Sequence, residues 1–234
     1  MQLKPFEKDR DKLAKETLPI FINFCEQISN AVSAYGVHLK PYNSHGIQEF
    51  LSKESTDQFQ ILTNLKNYTQ HLIEAVSNNV RLVGDNRKHA WFAMRNLGLR
   101  PPNDLFDRID QRDMIEIYDT SGIQVFRSIE LYNYMSYSFS EIFCYTWKDL
   151  FSRDNFVLNR MSTTVSDVLS GKIQGCIHPQ FPTHCAHEIF SEKKIWIKME
   201  SGIMSKVLRP DGTIGGLIYT FKIPEFGSSK KTLA

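Results

Sequence analysis

Cysteine is scarce in this sequence, charge is almost balanced, and no long apolar run is present. Cys25, Cys144, Cys176 and Cys185 are scattered without a C-x-x-C pair. A chain of this length does not need disulfides to hold a core, so reduced thiols are expected. With 28 basic against 26 acidic residues the formal charge is +2, too weak a field to nominate a nucleic-acid backbone or an anionic membrane as partner. No stretch approaches the ~18 apolar residues of a membrane span, and MQLKPFEKDRDKLAKE is charged where the apolar core of a signal peptide would begin. A cytoplasmic protein with no membrane association is the expectation.

The usual catalytic signatures are missing too. There is no G-x-S-x-G elbow, no H-E-x-x-H, no Walker A and no G-x-G-x-x-G, which points away from an enzyme. Gly212-Thr213-Ile214-Gly215-Gly216 opens a strand rather than a helix, so it lacks the helix N-terminus that would receive phosphate. The carboxylate pairs Glu188/Glu192 and Asp149/Asp154 fall in or beside turns, where a solvated face is the simpler role.

What is present is a hydrophobic content of 41%, ordinary for a chain that buries a core. Residues 8 to 34 place Leu13, Leu18, Ile20, Phe21, Phe24, Cys25, Ile28, Ala31 and Val32 at intervals near three and four, the period of an amphipathic helix. Pro19 inside that run predicts a kink or a start near residue 17, and Gly36 a stop. A turn-rich passage from Pro41 to Gly46 follows. Ser55 and Thr56 then offer caps to the clearest helix, marked by Phe59, Ile61, Leu62, Leu65, Tyr68, Leu72, Ile73, Val76 and Val80. A third helical run from Arg87 to Leu97 is closed by Gly98 and Pro101-Pro102. The pattern then changes from helical to strand-like. The expected organisation is a helical module over 1–100, a linker over 101–111, a second domain over 112–224 and a loose tail over 225–234.

Met114 to Tyr118 and Ile123 to Phe126 flank Asp119-Thr120-Ser121-Gly122, a β-hairpin pattern. Residues 129–151 suit short helical turns, with Ser138 and Glu141 spaced as a capping box. Met161, Val165, Val168 and Leu169 mark a helix from Arg153 to Ser170. Strands are predicted over His184–Phe190, Ile195–Leu208 and Ile214–Ile223. Two strands, several helices and three strands predict an α+β domain built on one antiparallel sheet.

Here the chain resembles PAS domains. IEIYDTSGIQVFRS is similar to their opening hairpin, YSFSEIFCYTWKDLFSRD to their short-helix segment, and KKIWIKMESGIMSKVLRPDGTIGGLIYTFKI to their closing meander. Arg127-Ser128 stands where an Asn often follows the second strand, and Ser136 where a Gly usually precedes the Tyr-Ser pair. The resemblance implies a five-stranded antiparallel sheet with helices on one face, and a bacterial signalling or regulatory protein that senses a small molecule or pairs with a protein. A homo-oligomer through the flanking helices is implied as well.

Aligned on Tyr137-Ser138, Cys144 occupies the motif's Gly position and Trp147 the position of the photosensor cysteine, which argues against a flavin adduct. Residues 153–170 carry no His, which argues against haem. Phe126, Tyr134, Phe143, Trp147, Phe156, Met161, Val165, Trp196, Met199 and Tyr219 are candidates for a ligand pocket between sheet and helices, or for a filled core. Cys176, His178, His184, Cys185 and His187 are alternative zinc ligands, although on a strand His184 and His187 would face opposite ways. A ligand-free interaction module is the second functional expectation.

Overall fold

The computed structural model describes residues 5–102, 104–199 and 202–224; the tail expected over 225–234 lies outside the described residues. Helices come first: α1 (Pro5–Ser33), α2 (Ser44–Ser52), α3 (Ser55–Ser77), α4 (Asn86–Asn96) and the short α5 (Leu105–Arg108). Strands β1 (Met114–Tyr118) and β2 (Gln124–Arg127) lead through a 3-10 turn (Ile129–Tyr134) to α6 (Phe139–Cys144), α7 (Trp147–Leu150), β3 (Phe151–Ser152) and α8 (Asn155–Leu169). The chain ends in β4 (His184–Glu188), β5 (Lys194–Ile197), β6 (Met204–Leu208) and β7 (Ile214–Phe221). The protein is a mixed α+β structure.

α1 buries Phe21, Cys25, Ile28 and Val32, successive turns of one face. It runs through Pro19 as one helix. α2 occupies part of the passage read as turns: Asn43 accepts a hydrogen bond from Gly46 N (2.8 Å) and caps it. α6 has the capping box that the Ser138/Glu141 spacing predicts.

The expected five-stranded sheet is not formed. Instead, four strands pair antiparallel in the order β2-β1-β7-β6, and β3-β4-β5 form a separate three-stranded sheet. The predicted strand from Ile195 to Leu208 is broken into β5 and β6, and each half joins a different sheet. Gly202 lies at the break, where a Cβ would overlap the carbonyl oxygen of Thr220. Its close approach to β7 draws the chain out of one strand line before β6 begins. The two sheets meet only through a bridge between Lys198 and Lys222 among the described pairings.

Helices also cover both faces of the four-stranded sheet, not one. Side chains alternate across a strand, and here both sets are buried. Ile115, Ile117 and Phe126 turn toward the N-terminal helices, where Phe126 packs edge-on against His71 of α3 and His89 of α4. Glu116, Tyr118, Leu217, Tyr219 and Phe221 turn the other way, toward α8 and the second sheet. The buried apolar residues from Phe21 to Phe221 form one cluster, and α6 is tied to the α1–α2 connection by Phe139 N to Lys40 O (3.1 Å) and Ser140 N to Pro41 O (3.1 Å).

Candidate ligand-binding cleft

Between the four-stranded sheet, α8 and the three-stranded sheet lies a cleft of about 790 Å³, measured out to its mouth. Its walls follow from strand alternation. β1 contributes Glu116 and Tyr118, β7 contributes Leu217, Tyr219 and Phe221, and β5 with its extension contributes Ile195, Ile197 and Met199. α8 supplies Met161, Val165 and Leu169, one helical face at intervals of four. Trp147, Phe151 and Arg153 also line the cleft.

The polar groups of this apolar cleft fall into two sets. The first is bonded within the protein, although Arg127 Nε and Gln124 Oε1 in it are buried without a partner among the described residues. Arg127 Nη2 and Glu116 Oε1 form a buried ion pair at 2.5 Å. Tyr118 Oη donates to Glu116 Oε2 (2.8 Å) and Gln124 Nε2 to Glu116 Oε1 (3.0 Å). Burial pulls the Arg127 guanidinium down, but Glu116, Tyr118 and Tyr132 outweigh it and leave its pKa raised. Burial, reinforced by Glu116, holds the Tyr118 hydroxyl well above its usual value.

The second set is not satisfied by the protein. Arg153 Nε, His184 Nε2 and Tyr219 Oη are buried atoms without a hydrogen-bond partner among the described residues. The Arg153 guanidinium lies over the rings of Trp147 (5.3 Å) and Phe151 (5.4 Å), and Nη1 donates to Phe151 O (3.3 Å). Its pKa is lowered, chiefly by burial, against the attraction of Tyr118, Glu116 and Tyr219. His184 Nδ1 is 3.0 Å from Pro182 O. A carbonyl only accepts, so Nδ1 carries the proton and Nε2 of the neutral ring is a bare acceptor. Burial keeps His184 below the ordinary imidazole value; the Pro182 bond opposes this, and Arg153 adds to it. Burial likewise raises the Tyr219 hydroxyl.

No protein-family model matches this chain, and no curated protein does at significant similarity. The cleft must therefore be read from its own residues.

Of the residues singled out in the sequence, Trp147, Met161, Val165, Met199 and Tyr219 line the cleft. Phe126 and Phe143 face the N-terminal helices instead, Phe126 on the histidines and Phe143 against Tyr68 at 5.5 Å. Tyr134, Phe156 and Trp196 are 39%, 63% and 47% exposed and turn outward. Trp196 alternates with Ile195 and Ile197 on β5, so the neighbours reach the cleft and the indole does not. Arg153 was visible only as a helix boundary, and Glu116 only as a strand residue.

The five candidate zinc ligands are not brought together. His184 faces the cleft, whereas Cys185 and His187 lie on the outer side of β4. His178 Nδ1 is 3.2 Å from Gly202 O, and Cys176 Sγ is 4.0 Å from Asp104 Oδ1. Among the described residues no three His, Cys, Asp or Glu side chains cluster as a metal would require.

Proposed function

We propose that this chain is a regulatory protein that takes a small molecule into the cleft and passes the change to its N-terminal helices. The observation that carries the proposal is the set of three buried polar atoms, on Arg153, His184 and Tyr219, at an apolar cleft and without partners among the described residues. Leaving a buried polar group unmade costs about 1–3 kcal/mol, so convergence of three in one cleft favours an external molecule that completes them. The strands of the wall support the transmission: β1 presents Glu116 and Tyr118 to the cleft and Ile115 and Ile117 to the helix side. A ligand that shifts β1 must repack the helix side as well, because close-packed layers transmit displacement.

The test is native mass spectrometry of the protein purified from its own host, compared with its denatured mass. An extra mass of small-molecule size is expected on the native protein. It should be lost in Val165→Trp, which fills the cleft from α8. A native mass equal to the bare chain or its multiples contradicts the proposal. A second reading has its own support: Phe59, Ile73 and Val76 of α3 and Trp91 of α4 are exposed, a surface suited to pairing between helical modules. A bare dimer in the same spectrum would favour that interaction role.

A further inference from the structure

The charge inside the cleft is uneven in a way that constrains its ligand. Glu116 and Arg127 neutralise each other at 2.5 Å. His184 donates Nδ1–H to Pro182 O, and burial, which lowers its pKa, favours the neutral ring whose Nε2 is an acceptor. Arg153 is cationic at any relevant pH, and its partners among the described residues are the Phe151 carbonyl and two aromatic faces rather than a carboxylate. Asp119 also lines the cleft, but its Oδ1 is taken up by Ser121 and Ile123, so among the described residues Arg153 has no carboxylate bonded to it, where burial makes an unpaired charge expensive. A single anionic oxygen group would balance it. A doubly charged phosphate would exceed it, beside the carboxylates of Glu116 and Asp119.

The hydrogen-bond polarity is equally specific. Arg153 Nε–H needs an acceptor and His184 Nε2 needs a donor, while Tyr219 Oη can serve as either. The remaining walls combine aromatic rings (Trp147, Phe151, Phe221) and the Met161 thioether with aliphatic side chains such as Val165 and Ile195, and the rings and the thioether offer contacts to a flat apolar body.

Resting on the small-molecule reading of the cleft, we propose that its ligand is a monocarboxylate on a compact aromatic body that also bears an O–H or N–H donor. The carboxylate sits on Arg153 and the donor on His184 Nε2. Arg153 is the charge-selecting residue, and its guanidinium plane is held for that purpose by Trp147 and Phe151.

Four probes separate the two requirements: 4-hydroxyphenylacetate has both charge and donor, phenylacetate lacks the phenolic donor, 2-(4-hydroxyphenyl)ethanol lacks the charge, and 2-phenylethanol lacks both of those features. Dissociation constants for the full-length protein are measured by isothermal titration calorimetry after denaturing extraction and refolding. Loss of the carboxylate is expected to weaken binding about tenfold or more, and loss of the phenol about fivefold, from the worth of charged and neutral hydrogen bonds. In Arg153→Gln the tenfold preference for the acids should collapse to within about twofold, with the phenol preference kept. Arg153→Lys, which keeps the cation, should retain part of the charge preference and covers the case in which the glutamine variant fails to fold. Alcohols that bind the wild type as well as the acids overturn the proposal, as does a charge preference unchanged in Arg153→Gln. If none of the four binds, the proposal also fails. A small-molecule adduct in the native spectrum then leaves the cleft reading standing, and a bare chain removes both.

Discussion

Glu116 shows how one residue can hold two layers of the protein together. Its carboxylate accepts from Tyr118, Gln124 and Arg127, and Arg127 in turn touches Met135 Sδ at 2.7 Å. The backbone carbonyl of Arg127 accepts from Tyr68 Oη of α3 (3.3 Å), which itself accepts from Tyr132 Oη (2.9 Å). A buried ion pair broken on one side leaves the other charge stranded, at a cost of about 3–5 kcal/mol. Glu116→Leu should therefore lower the unfolding free energy by about that amount in urea titrations, while Glu116→Leu with Arg127→Met should lose distinctly less. Equal losses would mean that the pair is not acting as a unit. In the sequence Arg127 stands out only as a departure from the PAS pattern. Pairing is a property of the β1–β2 register, which sets Glu116 opposite Arg127, and register is not written in composition. His184 was more legible, because strand period alone separates it from Cys185 and His187.

Among the elements, α2 was hidden by Gly46, a residue that reads as a turn. Helix propensity alone would have Gly46→Ala stabilise α2 by about 1 kcal/mol. The packing predicts the opposite: a Cβ at Gly46 would overlap Ser140 Oγ and lie 2.8 Å from Glu141 N in α6. Gly46→Ala is expected to destabilise by about 1–3 kcal/mol, read as a lower urea midpoint at unchanged slope; a gain would show that α2 and α6 do not pack this closely. The break between β5 and β6 escaped the sequence for the same reason, since the close approach of Gly202 to β7 is a tertiary contact.

α3 and α4 are joined by a histidine pair, His71 Nε2 to His89 Nε2 at 2.7 Å with rings stacked at 4.8 Å. Burial lowers His71 to about 4, and burial with the neighbouring His71 lowers His89 well below the ordinary value. Both rings are neutral in the fold, while in the unfolded chain they protonate near 6.5. The unfolded state therefore binds more protons as pH falls. Stability is full above about pH 6.5 and declines toward pH 4, by about 3 kcal/mol for His71 alone. His71→Leu with His89→Leu should flatten that decline in unfolding free energy measured between pH 7 and 4.5. An unaltered slope would place the histidines elsewhere than in a buried pair.

For the whole molecule, the four-stranded sheet is a shared wall. The α+β class, the helical first half and the opening hairpin were legible in the sequence, because local period and turn chemistry determine them. The division into two sheets, the helices on both faces and the unpaired charge of Arg153 were not, because they depend on residues far apart in the chain. That wall gives the proposed function its consequence: the cleft and the histidine pair lie on opposite sides of β1 and β2, Glu116 facing the cleft and Phe126 the histidines.

Amide hydrogen exchange tests this most directly, comparing the protein as purified from its host with the same protein after denaturing extraction and refolding. The account predicts faster exchange in the extracted protein both in the cleft strands β1 and β7 and across the wall in α3 and α4. Exchange that is identical in the two preparations, or that changes in the strands while α3 and α4 stay as they were, would contradict it.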